Sequence, residues 1–375
     1  AGADLSDVTF LDATNAGLVE EDFNDTTYSG LRLSARYDVN ADWTIDLSYA
    51  RQTLDSEGVF FSDPELDEEL AIQRYEEDEL SDEFDNIAWT VTGQAGPLEL
   101  VYTGAFTDRT TEQQVDYSDY LFVGQYLPYY ICDTSVVYPS YTGNSAPTGV
   151  CQPPNLQVDS RTETEVFTQE LRFNTPQENR LRATAGVFYS DLELAERNDF
   201  LYFGSVNVRG ADGVTTGFVP NFNLTNGDAT PGQVGNESVG YFSEAGPMPP
   251  GGIFRNDVLR TDEQIGVFGE ATYDLIPNTL AVKFGARWYD IEVDLQGSAN
   301  SSFFNLRSAI FGPNAGLDPS QASDAQLGGT NISAQFAADN TVGAPDAAAT
   351  DGVIYKGTIE WTPTADLLFY ATYSE

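Results

Sequence analysis

Short turns and long links alternate without exception along this chain, and the segments they join alternate residue by residue between apolar and polar. The turns are VNAD (39–42), AGP (95–97), TPQENR (175–180), IPN (276–278) and TPTAD (362–366), each holding Pro, Gly or Asn, the residues that tight reversals require. The links cover about 55–82, 111–162, 196–260 and 296–350. Links longer than about fifteen residues are uncommon in compact domains, so their strict rotation with tight turns needs one common cause.

The alternation itself has period two, the signature of strands. In NTLAVKFGARWYD (278–290), Leu280, Val282, Phe284, Ala286 and Trp288 point one way, and Lys283, Gly285, Arg287 and Tyr289 the other. SGLRLSARYD sets Leu31, Leu33, Ala35 and Tyr37 against Arg32, Ser34 and Arg36; DWTIDLSYA, RLRATAGVFY and VIYKGTIEW repeat the split. A half-buried sheet in water would alternate in the same way. The connections favour a membrane barrel, which combines tight turns on one rim, long loops on the other, an apolar outside and a polar interior. The fold expected is all-β: an antiparallel transmembrane β-barrel with about ten strands and long extracellular loops.

Composition agrees and removes other classes. No run of about eighteen apolar residues exists, so no transmembrane helix is expected. Aromatics make up 13% and recur near the ends of the alternating segments, as a belt would require. With 59 acidic against 17 basic residues and a net charge of −42, no nucleic acid is expected as a partner. Histidine is absent, which removes the commonest general base, the Ser-His and Cys-His pairs and imidazole zinc sites. No catalytic residues, no metal site and no cofactor are expected, and the chain is read as a non-enzyme.

The scarce basic residues are informative. Both lysines, Lys283 and Lys356, and five arginines, Arg32, Arg36, Arg172, Arg182 and Arg287, fall on the polar parity of strands, with Glu170, Glu270 and Glu360. They form a mixed-charge, lumen-facing wall in the barrel reading; a solvated sheet face is the alternative.

The links carry the remaining candidates. Residues 55–85 hold fourteen acids and one base, Arg74, and Asp63 before Pro64 suggests a helix over 64–80. Such acids could ligate Ca²⁺, but no EF-hand spacing is present. Residues 117–141 hold seven tyrosines, of which Tyr126, Tyr129, Tyr130, Tyr138 and Tyr141 are candidates for ligand contact, since aromatics give large contact area at little rotamer loss. Cys132 and Cys151 flank the same turn-rich link and suggest a disulfide in an oxidising compartment, against two free thiols. The links after 196 and 296 are rich in Gly, Asn, Ser and Ala and single out no residue.

The segments FTQELRFNT (167–175), LRATAGVFYSD (181–191), IGVFGEATYDLIPNTLAVKFGARWYD (265–290) and IEWTPTADLLFYATYSE (359–375) resemble barrel strands of TonB-dependent outer-membrane receptors. The resemblance implies a 22-stranded barrel in the bacterial outer membrane, its lumen filled by a plug. It also implies energy-coupled uptake of a scarce nutrient such as a ferric siderophore or similar chelate. The partners implied are the TonB complex through the plug, a small-molecule ligand such as a metal chelate, and outer-membrane lipid. No plug, energy-coupling box or terminal aromatic strand is visible, so the expectation is an interior stretch of barrel: residues 1–25 lead into it and 26–375 form it. The alternatives are a passive porin or surface-adhesion barrel, and a soluble β module that binds carbohydrate.

Overall fold

The computed structural model describes residues 8–10, 14–66, 70–119, 149–151, 153, 155–201, 252–301 and 347–375. Among them there is no helix. Ten long strands form one antiparallel sheet: β2 (Thr26–Asn40), β3 (Trp43–Glu57), β4 (Glu79–Ala95), β5 (Leu98–Asp116), β7 (Gln157–Asn174), β8 (Leu181–Leu201), β9 (Gly252–Ile276), β10 (Leu280–Ser301), β11 (Ala347–Thr364) and β12 (Leu367–Ser374). Each pairs with its neighbours in chain order, and β2 and β12 are the edges. Two short strands, β1 (Val8–Phe10) and β6 (Gly149–Cys151), pair in parallel apart from this sheet.

The short turns fall where the sequence places them. Gly96 takes φ +67° between β4 and β5, and Asn278 takes φ +58° between β9 and β10, a left-handed conformation that Asn tolerates better than most residues. Arg180 ties two of these turns together: it donates to the carbonyls of Asp274 and Leu275 at 2.8 and 3.0 Å and stacks on Tyr273.

The strands are longer than a membrane crossing requires. They run to 25 residues in β9, and they extend into stretches read from sequence as links. The apolar face marks where a membrane crossing would stop. From β3 to β7 one cross-strand row of that face reads Tyr49, Ile87, Phe106, Phe167, and it meets Asp191 on β8; the next row reads Arg51, Asp85, Asp108, Glu165, Glu193. Beyond that line the hairpins continue as polar ribbons, held by the same backbone ladder. From Leu280 to Trp288 the apolar stretch covers roughly 20–25 Å along the normal for a strand tilted about 40°.

The described residues form almost no apolar core. Among the described residues only Leu156, Val158, Ala195, Leu201 and Ala281 are buried apolar side chains, whereas Leu33, Leu47, Val267, Phe284, Ile359, Trp361 and many like them are exposed. Most of the exposed apolar side chains of the strands lie on one face, Tyr28, Ile354 and Tyr370 being among the exceptions. Aromatics gather near its two limits, with Trp43, Tyr273, Trp361 and Phe369 toward the short turns and Tyr49, Phe106, Phe167 and Trp288 toward the links. Trp361 stacks on Phe369 with ring centroids 5.5 Å apart.

The helix expected over 64–80 is not formed. Asp63 caps only a turn, its Oδ1 accepting from the Glu65 amide at 2.9 Å; residues 71–78 run without helix, and β4 begins at Glu79. Hydrogen bonds to Asp116 of β5 from the Tyr75 and Glu76 amides hold that stretch extended and override its helical propensity.

Candidate functional site

The polar face of the sheet is built by register. Cross-strand partners share a face, and following the pairs from β2 to β12 puts all ten charged residues singled out in the sequence on one side. Most are tied to a neighbour. Arg36 binds Asp46 at 2.7 Å, Arg172 binds Glu170 at 2.7 Å, and Arg182 binds Asp274 at 2.9 Å. Lys283 binds Glu360 and Lys356 binds Glu270, both at 2.6 Å. Asp46 and Asp274 are partners that the sequence reading did not name.

Arg32 and Arg287 have no ion pair among the described residues. Arg32 lies exposed on edge strand β2. Arg287 is different: its guanidinium lies 5.5 Å from the centre of the Phe188 ring, and its Nε is buried without an acceptor.

A second polar cluster sits at the link end of β4 and β5. Asp116, which ends β5, is nearly buried and accepts from the amides of Tyr75, Glu76 and Ser118 at 2.5, 3.1 and 2.8 Å. Its own amide donates to Asp78 Oδ1 at 2.9 Å, and Asp78 Oδ2 lies 2.9 Å from Arg74 Nε. Ser118 Oγ accepts from the Leu156 amide, and Asn155 donates to Glu76 at 2.8 Å. Burial pushes the Asp78 carboxyl above the ordinary carboxylate range, with Arg74 pulling it back in part; burial likewise raises Glu76, opposed by Asn155. The hub thus fastens link 58–78 to the start and the end of the next link.

Beside it, at the link end of β3 to β8, lies a concavity of about 670 Å³ whose lining includes Glu57, Glu79, Gln114, Asp159, Arg161 and Arg197. Arg161 is held by Glu112 at 3.1 Å and by Glu163, and Arg197 by Asp199 at 3.0 Å. Among the described residues, no group of three or more metal-ligating side chains converges on one point. Tyr126, Tyr129, Tyr130, Tyr138, Tyr141 and Cys132 lie outside the described residues; Cys151 is the last residue of β6.

The sequence of Asp116 gave no sign of its role, because its partners stand up to 41 positions away and nothing local marks them. The wall, by contrast, could be read from parity alone.

No family model matches the chain, and no curated protein matches it by sequence. Comparison of structures does find relatives. The chain superposes on the ferric yersiniabactin uptake receptor FyuA from Yersinia pestis with 10% identity and a TM-score of 0.55, covering 99% of this chain and 40% of that one. On the ferric citrate transporter FecA the values are 10% and 0.51, with 94% and 36% covered. On the siderophore receptor PiuA from Acinetobacter baumannii they are 11% and 0.50, with 95% and 42% covered. The chain therefore spans about two fifths of the length of these receptors. With its exposed apolar face and its alternating turns and links, the chain has, over that part of their length, the β-barrel fold of these receptors.

Proposed function

We propose that the sheet is part of the wall of an outer-membrane importer of the TonB-dependent kind, with its apolar face in lipid and its polar face lining the lumen. One observation carries this reading: most of the large exposed apolar side chains lie on the outward face instead of in a core. In water such a face would be a liability; in a bilayer it is the solvated side. Residues 26–375 make up the wall and 1–25 lead into it. The free ladders of β2 and β12 must be paired, because unpaired backbone groups are too costly in hydrocarbon. Further strands supply those partners.

The cargo is a scarce small-molecule ligand, a ferric siderophore or similar chelate, and the energy comes from the TonB complex acting on a plug. The siderophore and ferric citrate specificities of the similar structures support the chelate class. The tyrosine-rich link, with Tyr126, Tyr129, Tyr130, Tyr138 and Tyr141, contributes to ligand capture, and a Cys132–Cys151 disulfide closes its base. The protein performs transport and not catalysis, as the receptors and transporters of the same fold do. The test is uptake of radiolabelled ferric chelates by iron-starved cells, with and without the gene and with TonB deleted. Uptake should need both. Uptake that persists without TonB would make the barrel a passive pore.

A further inference from the structure

We propose that the polar wall carries, between β8 and β11, a binding platform for an organic anion with a flat apolar body. Arg287 holds the carboxylate; Phe188, Phe268 and Tyr289 hold the body. The inference rests on the reading of this face as the inside of the barrel.

Register assembles the platform. Arg287 stands opposite Phe268, while Tyr289 and Phe188 both stand opposite Gly266, so all four side chains share the polar face within three adjacent strands. Each of three large groups lies on a glycine of a neighbouring strand. A Cβ added at Gly186 would come within 2.6 Å of Phe268, one at Gly266 within 3.0 Å of Arg287 Nε, and one at Gly352 within 2.7 Å of the Tyr289 hydroxyl. The glycines let these side chains lie down along the wall, which gives a flat surface instead of a row of projecting groups. The platform sits level with Trp288, at the link-side limit of the apolar band, and Ile291 and Val293 continue the same face toward the links.

Charge then selects the ligand. On this face Arg36, Arg172, Arg182, Lys283 and Lys356 each have a carboxylate within 2.6–2.9 Å. Arg287 has none among the described residues, in a chain with 59 acidic and 17 basic residues. A buried guanidinium N–H without an acceptor is unfavourable, and a carboxylate supplies two acceptors in the planar fork geometry that arginine matches. An adjacent aromatic face already holds the guanidinium plane in position. A neutral oxygen accepts from the guanidinium more weakly than a carboxylate does, and a cation would be repelled.

The experiment uses the full protein in detergent micelles, with 2-naphthoate as the probe and 2-naphthylmethanol as its uncharged counterpart, read by titration calorimetry. Folding is checked by the heat-dependent shift in gel mobility that folded barrels show, and insertion by flotation with lipid vesicles. Naphthoate should bind saturably, and the alcohol at least about tenfold more weakly. Arg287→Gln should lose about the same factor, Arg287→Lys should keep part of the binding, and Phe188→Leu should weaken it. Arg36→Gln, on the same face but ion-paired elsewhere, should bind as the parent does. Absence of saturable binding, equal binding of the alcohol, or an Arg287→Gln variant as good as the parent would overturn the proposal. If the protein also fails to insert, the barrel reading falls; if it inserts and does not bind, only the platform does.

Discussion

Lys356 on β11 and Glu270 on β9 are not neighbours in the sheet, yet Nζ and Oε2 stand 2.6 Å apart. The strand between them contributes only Gly285 to that row, so the two side chains meet over bare backbone. A Cβ at Gly285 would find its nearest atom, Glu270 Oε2, at 3.6 Å, an ordinary contact. Gly285→Ala should therefore leave the pair intact, and Gly285→Leu should part it. The chain has only two lysines, so acetylation read by mass spectrometry can follow each one. Lys356 should react several-fold faster in the leucine variant and unchanged in the alanine variant; equal rates in both would refute the bridging geometry.

Arginine placed on opposite faces of the sheet should behave oppositely. Ala271 lies on the apolar face of β9 opposite Phe284, in the middle of the apolar stretch from Leu280 to Trp288, and Ala271→Arg should destabilise the protein in bilayers by about 2–4 kcal/mol, the midplane cost for barrels. Thr168 lies on the polar face of β7, and Thr168→Arg should cost far less. Urea unfolding in vesicles checks both. Similar losses at the two sites would count against the assignment of faces.

Arg74 and Asp78 are both nearly buried, and they hold link 58–78 down. Arg74→Met leaves a buried carboxylate without its cation, a change that costs about 3–5 kcal/mol where no relaxation follows. Here the link can open instead. Limited proteolysis should cut within 58–78 in the variant and leave the strands whole. Resistance equal to that of the parent would show that the hub does not anchor the link.

The same hub should respond to pH. Asp78 and Glu76 have carboxyl pKa values raised in the folded protein by burial, so the fold binds their protons more tightly than the unfolded chain does. The stabilisation is fully present below the ordinary carboxylate range and is lost as pH rises through the folded values. Hydrogen exchange at the Tyr75 and Glu76 amides, corrected for its intrinsic pH dependence, should slow on acidification from neutral pH. In Asp78→Asn the response should shrink. Faster exchange on acidification would reverse the sign and contradict the account.

Parity made the wall legible in the sequence. Arg32 to Glu360 could be assigned to one face because a period of two leaves each residue only two choices, and lipid on one side makes that choice visible. Strand ends were not legible, since the polar ribbons beyond Asp85 and Asp108 lack the contrast between faces that marks a strand. Asp63-Pro64 and the acids after it have the composition of a helix, but Asp116 and Arg74 hold that stretch extended through contacts no local pattern records. The glycines beneath Phe268, Arg287 and Tyr289 gained meaning only from cross-strand register.

In a barrel wall, one face of this sheet meets lipid and the other does not. Spin labels placed one at a time from residue 264 to 273 on β9, in outer-membrane vesicles from producing cells, measure it through collision with oxygen and with a water-soluble nickel chelate. Residues 265, 267, 271 and 273 should show high oxygen and low nickel exposure, and 264, 270 and 272 should not share that lipid signature. A profile without this alternation, or nickel exposure on both faces, would contradict the barrel.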